Sequence, residues 1–313
     1  TGHVGFFANV TYCTSGTEIK NLTVKGDGII ASSNAGGIVG WLQGRYQSET
    51  QIINCHNYLP ITADSQVGGI IGDVSSGLLK ILDCSNHATI TTTGNGYNVG
   101  GIVGAASGPS TWDTQNNQKV LKVDIENCYN DGAITVTSSS TNVGGIVGQT
   151  GGVVNINKCF NYNSVIGSTS AFAVIAELGT SSSIKNCYYL TIAGSATDES
   201  AEGHDEAWFA DENSFKENED YNKRWDFKDT WEMKENAKYP TFLPELDLYV
   251  AGHIVAVGST SVTRTNRGYQ YDRQENTLRL GNSTGYDDVY FIVESPSWDA
   301  GIRSELADLN IRM

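Results

Sequence analysis

The sequence predicts a mainly β protein: a right-handed parallel β-helix of about six coils, a short α/β cap and a small C-terminal β module. Three observations predict it. A Gly-Gly-Ile-Val-Gly block recurs at a near-fixed step, an Ile-x-Asn-Cys-x-Asn block follows each copy, and no helical period appears before residue 196. The expected divisions are a coil over 1–195, an acidic, aromatic-rich cap over 196–244 and a β-rich module over 245–313.

The first block reads Gly36-Gly37-Ile38-Val39-Gly40, then Gly68-Gly69-Ile70-Ile71-Gly72, Gly100-Gly101-Ile102-Val103-Gly104 and Gly144-Gly145-Ile146-Val147-Gly148. Degenerate copies begin at Val4 and Phe172, so the steps are 32, 32, 32, 44 and 28 residues. The long step holds an insertion around Gly108 to Gln118. In the second block the centres are Asn54-Cys55-His56-Asn57, Asp83-Cys84-Ser85-Asn86, Asn127-Cys128-Tyr129-Asn130, Lys158-Cys159-Phe160-Asn161 and Asn186-Cys187-Tyr188-Tyr189. The earliest copy has Leu22 in the Cys position, so that position wants a small or medium hydrophobe. A weaker apolar stretch closes most units, as in Ile90-Thr91-Thr92 and Ile134-Thr135-Val136.

Strands this short cannot bury an apolar face alone, and stacking on the equivalent strand of the next unit solves the problem. Parallel crossovers are right-handed in the great majority of cases, which sets the expected hand. The Gly pairs suit corners that need positive φ or close backbone approach. The recurring Asn just before and two after the Cys suit bends, where Asn tolerates the left-handed region.

The pairing of the two blocks resembles the GLUG repeat of bacterial surface and secreted proteins, over about residues 1–195. The resemblance implies extracellular or cell-surface display and an adhesin-like role. Similar repeats sit upstream of the zinc protease module of bacterial immunoglobulin A peptidases, but no His-Glu-x-x-His sequence occurs in this chain.

Composition narrows the function classes. The 313 residues carry a formal charge of −15, which argues against a nucleic-acid partner. No apolar run is long enough for a transmembrane segment. The charge is uneven: 11 acidic against 8 basic residues over 1–195, and 14 against 6 over 196–244. The coil therefore solvates its surface with Ser, Thr, Asn and Gly. Because Thr1 opens the sequence, any signal or anchor segment is expected to lie outside it.

Motif chemistry is sparse. The Cys spacings do not fit a zinc site, and in-register strands do not suit disulfide geometry, so Cys55, Cys84, Cys128, Cys159 and Cys187 read as a ladder of buried thiols. Cys13 lies outside that register and reads as a further free thiol. His56 and His87 stand one and three positions past their Cys, and so are not expected to stack as a pair. Lys80 aligns with Asp124, an expected surface ion pair. His204-Asp205-Glu206 belongs to the acidic run from Asp198 to Asp220, which reads as a solvated face without the calcium-loop pattern. No metal, cofactor or catalytic residue is expected. Binding candidates are Trp41, Tyr46, Tyr97 and Trp112, aromatics able to stack on a sugar or protein partner.

Three function classes follow. The leading one is non-catalytic adhesion to a glycan or to a host or matrix protein. The others are a polysaccharide-processing enzyme or carbohydrate-binding accessory, and a structural stalk without a ligand. After residue 204, Trp208, Phe209 and Phe215 predict an amphipathic helix over 205–219. Strands are expected over 246–257, 277–280 and 289–293, with a helical turn over 299–309.

Overall fold

The computed structural model describes residues 2–45, 48–94, 96–108, 121–137, 139–168, 170–176, 178–179, 181–216, 223–228 and 230–243, together with the backbone of short strands between 248 and 312. The chain divides into two compact units, Thr1–Phe209 and Ala210–Met313. Among the described residues no helix is long and apolar enough to cross a membrane.

The first unit is a parallel β-solenoid. One full turn runs through Tyr97–Gly100, Val103–Ala106, Leu121–Glu126, Tyr129–Asn130 and Ile134–Thr135. Each strand pairs in parallel with its counterpart in the turn before and the turn after. Two of the sheets have five strands each, so there are about five full turns. The degenerate copies supply partial turns at the ends: Val4 bridges to Ala35, and Ile175 to Val147. With these partial turns counted as coils, the number is the six that the sequence predicts.

Register follows from identity. Ile61, Ile90 and Ile134 stack in one row, Val67, Val99 and Val143 in a second, and Ile52, Ile81, Ile125 and Ile156 in a third. All are buried, and each such side chain contributes roughly 1.5–3 kcal/mol. A slip of one residue would turn every row outward.

These rows fall into two apolar clusters, and a polar column runs between them. Asn57, Asn86, Asn130 and Asn161 are buried and pass hydrogen bonds from turn to turn. Asn57 Nδ2 donates to Asn86 Oδ1 at 2.8 Å, Asn86 to Asn130 at 2.7 Å and Asn130 to Asn161 at 2.7 Å. Each Nδ2 also donates to the carbonyl two residues on, at 2.8–3.1 Å. Directly across the turn lies the second glycine of each Gly pair. A Cβ on Gly101 would sit 2.6 Å from Asn130 Cβ, and one on Gly145 2.6 Å from Asn161 Cγ; Gly37 and Gly69 meet Asn57 and Asn86 in the same way. These glycines have ordinary φ, so they serve close approach and not a left-handed turn.

The left-handed corners are elsewhere. Asn21, Asn54, Asp83, Asn127, Lys158 and Asn186, each just before the Cys or Leu of its block, have φ between 50° and 56°. Asn and Asp adopt that region readily, whereas Lys158 holds it at a cost of roughly 1–2 kcal/mol. The second Asn of each block is not at a left-handed bend: it is the buried column just described.

The last turn needs a substitute for the turn that would follow it. In earlier turns one Ile carbonyl accepts two N–H groups, as Ile146 O does from Ile102 and Val103 at 2.9 and 3.0 Å. After the final block, Asp198 Oδ2 takes that place, accepting from Val174 N–H at 3.1 Å and Ile175 N–H at 2.8 Å. Asp198 is buried, so this member of the acidic run is not the solvated side chain the sequence suggested. Parallel pairing also continues past residue 195, since Glu202–His204 pairs with Tyr188–Leu190. Of the helix expected over 205–219, the described residues 205–216 form two helices of four residues, Glu206–Phe209 and Asn213–Lys216, and 217–219 lie outside the described residues. Asp205 and Asp211 bond backbone N–H groups at their starts, which divides the segment.

In the second unit Phe215, Trp225 and Trp231 are buried with ring centroids 4.7–4.9 Å apart, and Trp231 lies 4.7 Å from Phe242. Trp231–Glu232 pairs antiparallel with Thr241–Phe242. Leu248–Val250 pairs antiparallel with both His253–Ala256 and Ile302–Ser304. A strand therefore stands where a helical turn was expected, because its backbone bonds are made to the edge of Leu248–Val250. Val262–Arg264, Tyr269–Asp272, Thr277–Leu280 and Asn310–Arg312 form another small sheet. The strand expected over 289–293 lies outside the described residues.

Replacing Gly101 with Ala is expected to cost about 1–3 kcal/mol through overpacking against the Gly145 carbonyl and Asn130. Asn130→Ala leaves Asn86 and Asn161 without their partner, at about 1–3 kcal/mol for each buried polar group. Urea unfolding of the full chain measures both. Losses within about 0.5 kcal/mol, as for exposed positions, would contradict the packing.

Candidate functional site

The solenoid separates the predicted aromatic candidates. Trp41, on the strand Val39–Gly44, is half-buried, stands in register with Asn9 and Asp73, and has the His3 ring 5.0 Å away. Tyr97 opens Tyr97–Gly100 in a different sheet, is 47% exposed, and stands between Ser65 and Thr141. The two do not form one surface row. Tyr46 and Trp112 lie outside the described residues.

The five repeat thiols form a continuous inward row. Each is at most 3% exposed, and all six cysteines of the chain are free. The backbone N–H of Cys55 donates to Cys84 Sγ at 3.4 Å, and the same contact repeats from Cys84 to Cys128 and from Cys128 to Cys159. Each thiol donates to the carbonyl two residues back, at 3.1–3.3 Å. Burial pushes the Cys128 and Cys187 thiols well above the ordinary range, which favours their protonated form. Leu22 stands in register with Cys55, the apolar alternative at the same rung. Cys13, outside this row, is buried beside Gly44.

The outward side of the same block carries a cluster that spacing alone did not reveal. His56 and His87 both reach one hydroxyl: His56 Nδ1 is 2.8 Å from Ser85 Oγ, and His87 Nε2 is 2.7 Å from it. His56 Nε2 is 2.8 Å from Asn54 Oδ1, and His87 Nδ1 is 2.9 Å from Asp131 Oδ1. The histidines do not stack as a pair, as their offsets predict: the rings lie 6.4 Å apart and tilted, and only the Ser85 hydroxyl joins them. Residues one and three past the Cys point to the same side of an extended chain, and Ser85 spans the remaining gap. Tyr58 stacks on His87 at 4.3 Å, Lys25 Nζ is 4.7 Å from the Tyr58 ring centroid, and Tyr129 meets His87 edge-on at 5.4 Å. Further along, Tyr129 stacks on Phe160 at 4.9 Å, and Phe209 covers Phe160 and Tyr162.

Ser85 is wholly buried, so its hydroxyl is a linker and not an exposed nucleophile. Burial lowers the His56 pKa, favouring its neutral ring. Beneath it, Asp83 occupies the corner row otherwise held by Asn54 and Asn127. It accepts from Asn127 Nδ2 at 3.1 Å, and burial raises its carboxyl to about 6. Lys80 stands in register with Asp124 but pairs with Glu49 at 2.9 Å, while Asp124 takes Lys122 at 2.8 Å; the geometry thus replaces the expected ion pair with two others. His204 stacks on Trp208 at 3.8 Å and does not gather a ligand set. Among the described residues no group of three His, Cys, Asp or Glu side chains is placed to hold a metal ion.

Two expectations follow. Asp83 has a folded pKa above its reference value, so its contribution favours folding below about pH 4 and is lost as pH rises through 6. Asp83→Asn should stabilise the chain at neutral pH by about 1–3 kcal/mol, with the gain vanishing towards pH 4; a urea series across pH measures it. The five row thiols should remain unmodified by a bulky, water-soluble maleimide under native conditions and react after unfolding. Rapid native labelling would contradict the inward row.

Compared with protein-family models, with curated proteins and with solved structures, the chain matches none.

Proposed function

We propose that this chain is a GLUG-type repeat protein, secreted or displayed on a bacterial surface, that binds a glycan or a host or matrix protein without transforming it. The support is the resemblance of its two-block repeat together with the character of the solenoid exterior. That exterior is weakly charged over 1–195, and its strand ends carry Ser, Thr and Asn.

One observation carries the binding reading. Tyr97 presents an open ring between the Ser65 and Thr141 rungs of a rigid sheet. An aromatic face beside the exposed Thr141 suits the mixed apolar and polar faces of a sugar ring, and a preformed scaffold lowers the ordering cost of binding.

A glycan array and a panel of matrix proteins test the proposal on the full chain. Binding is expected, with Tyr97→Ala weakening it at least about tenfold, or 1.4 kcal/mol, while the unfolding midpoint stays unchanged. Absence of binding across both panels would favour a stalk. New reducing or unsaturated ends released from a polysaccharide would overturn the non-catalytic reading.

A further inference from the structure

The sheet formed by Ile29–Ile30, Ile61–Thr62, Ile90–Thr91, Ile134–Thr135 and Val165–Ile166 turns one uniform row outward. Its members, Ile30, Thr62, Thr91, Thr135 and Ile166, are all β-branched and stand in register across five turns. We propose that this row is an ice-binding face, on which threonine hydroxyls and β-branched methyls dock against an ordered water lattice.

Spacing is the first support. Parallel pairing sets successive members about 4.7–4.9 Å apart, and the water oxygens of hexagonal ice repeat at a step close to that along one crystal axis. Each turn offers the same kind of side chain at the same place, so a ligand that fits the row must itself repeat once per turn. The row is also held in place from below. Beside each member a buried Ile or Val points inward, and stacked ladders of this kind are the setting in which a sheet stays flat. Side chains branched at Cβ are stiff at χ1, so the hydroxyl and methyl of each Thr are ordered before a ligand arrives.

The chemistry of the row suits water. Ile30 is 87% exposed, Thr135 and Ile166 are exposed, and Thr62 and Thr91 are half-buried. Among the described residues none bonds the hydroxyl of Thr62, Thr91 or Thr135, and none of these three oxygens is buried. A free hydroxyl donates one hydrogen and accepts two, so it can take a lattice position as water does. Charge, which would impose its own hydration, is nearly absent. Two residues past the row stand Ser32, Asp64, Thr93, Thr137 and Ser168, and the one carboxylate among them accepts from the Thr93 hydroxyl at 2.6 Å. Two residues before its last four members stand Pro60, Thr89, Ala133 and Ser164, all uncharged. The ion pairs Lys80–Glu49 and Lys122–Asp124 lie instead on the sheet that holds Glu49–Asn57, Ile71–Leu82 and Leu121–Glu126. Tyr97 stands on a third sheet, so the ice face and the Tyr97 site hold or fail separately.

Slow growth of ice from a solution of the full chain tests the proposal, because a protein that binds ice is carried into it and others are rejected. The chain is expected to enter the ice and to slow the coarsening of ice grains in a frozen sucrose film. Thr91→Lys and Thr135→Lys should each abolish both effects with the unfolding midpoint unchanged, and Tyr97→Ala should leave both intact. Rejection of the unmodified chain from ice would overturn the proposal, whether or not either Lys variant folds. So would uptake that survives in folded Thr91→Lys and Thr135→Lys. Microcrystalline cellulose is the rival ordered surface: pelleting with cellulose, without uptake into ice, would assign the row to a polysaccharide instead.

Discussion

The solenoid depends on one contact: a buried asparagine packed against a glycine across the width of each turn. Two apolar clusters fill the turn on either side, and the chain is pinched between them where Gly37, Gly69, Gly101 and Gly145 meet Asn57, Asn86, Asn130 and Asn161. A polar group in such a place is costly unless every hydrogen bond is made. The stack provides those bonds by translation, because each amide donates to the next in the column and to a carbonyl of its own turn. The apolar rows supply most of the burial energy, and the asparagine column supplies register, since a turn displaced by one residue would orphan two amides.

The same logic governs corners and ends. A corner repeated at every turn needs a left-handed residue at every turn, and Asn or Asp fills five of the six positions before the Cys or Leu. Where the column of turns stops, the backbone N–H groups still need acceptors, and the Asp198 carboxylate stands in for a missing Ile carbonyl. Function has room only on the outward rows. One row off the apolar clusters does change from turn to turn, Thr23, His56, Ser85, Tyr129 and Phe160, but its last three members are buried.

Much of this was legible in the residues. The near-fixed step between Gly blocks announced stacked turns, Leu22 in place of Cys announced an inward row, and the recurring Asn before the Cys announced a left-handed corner. Other features were hidden because they depend on which rows meet across a turn. Nothing in a linear reading says that the second Gly of one block packs on the second Asn of the next block. The joining of His56 to His87 was likewise obscured, because it needs the small Ser85 at the intervening rung. Asp198 looked like one of many acidic residues until the unsatisfied N–H groups of Val174 and Ile175 gave it a partner. For the site, sequence offered scattered aromatics, and the fold places Trp41 and Tyr97 on different sheets.

The most direct measurement is hydrogen exchange of the asparagine side-chain amides. If Asn86 and Asn130 form the polar column inside an intact stack, their NH₂ resonances should persist in D₂O as long as the backbone amides of Ile102 and Val103. Exchange of those side-chain amides within the first spectrum, with the backbone amides still protected, would show that the column is open to solvent and that register rests on something else.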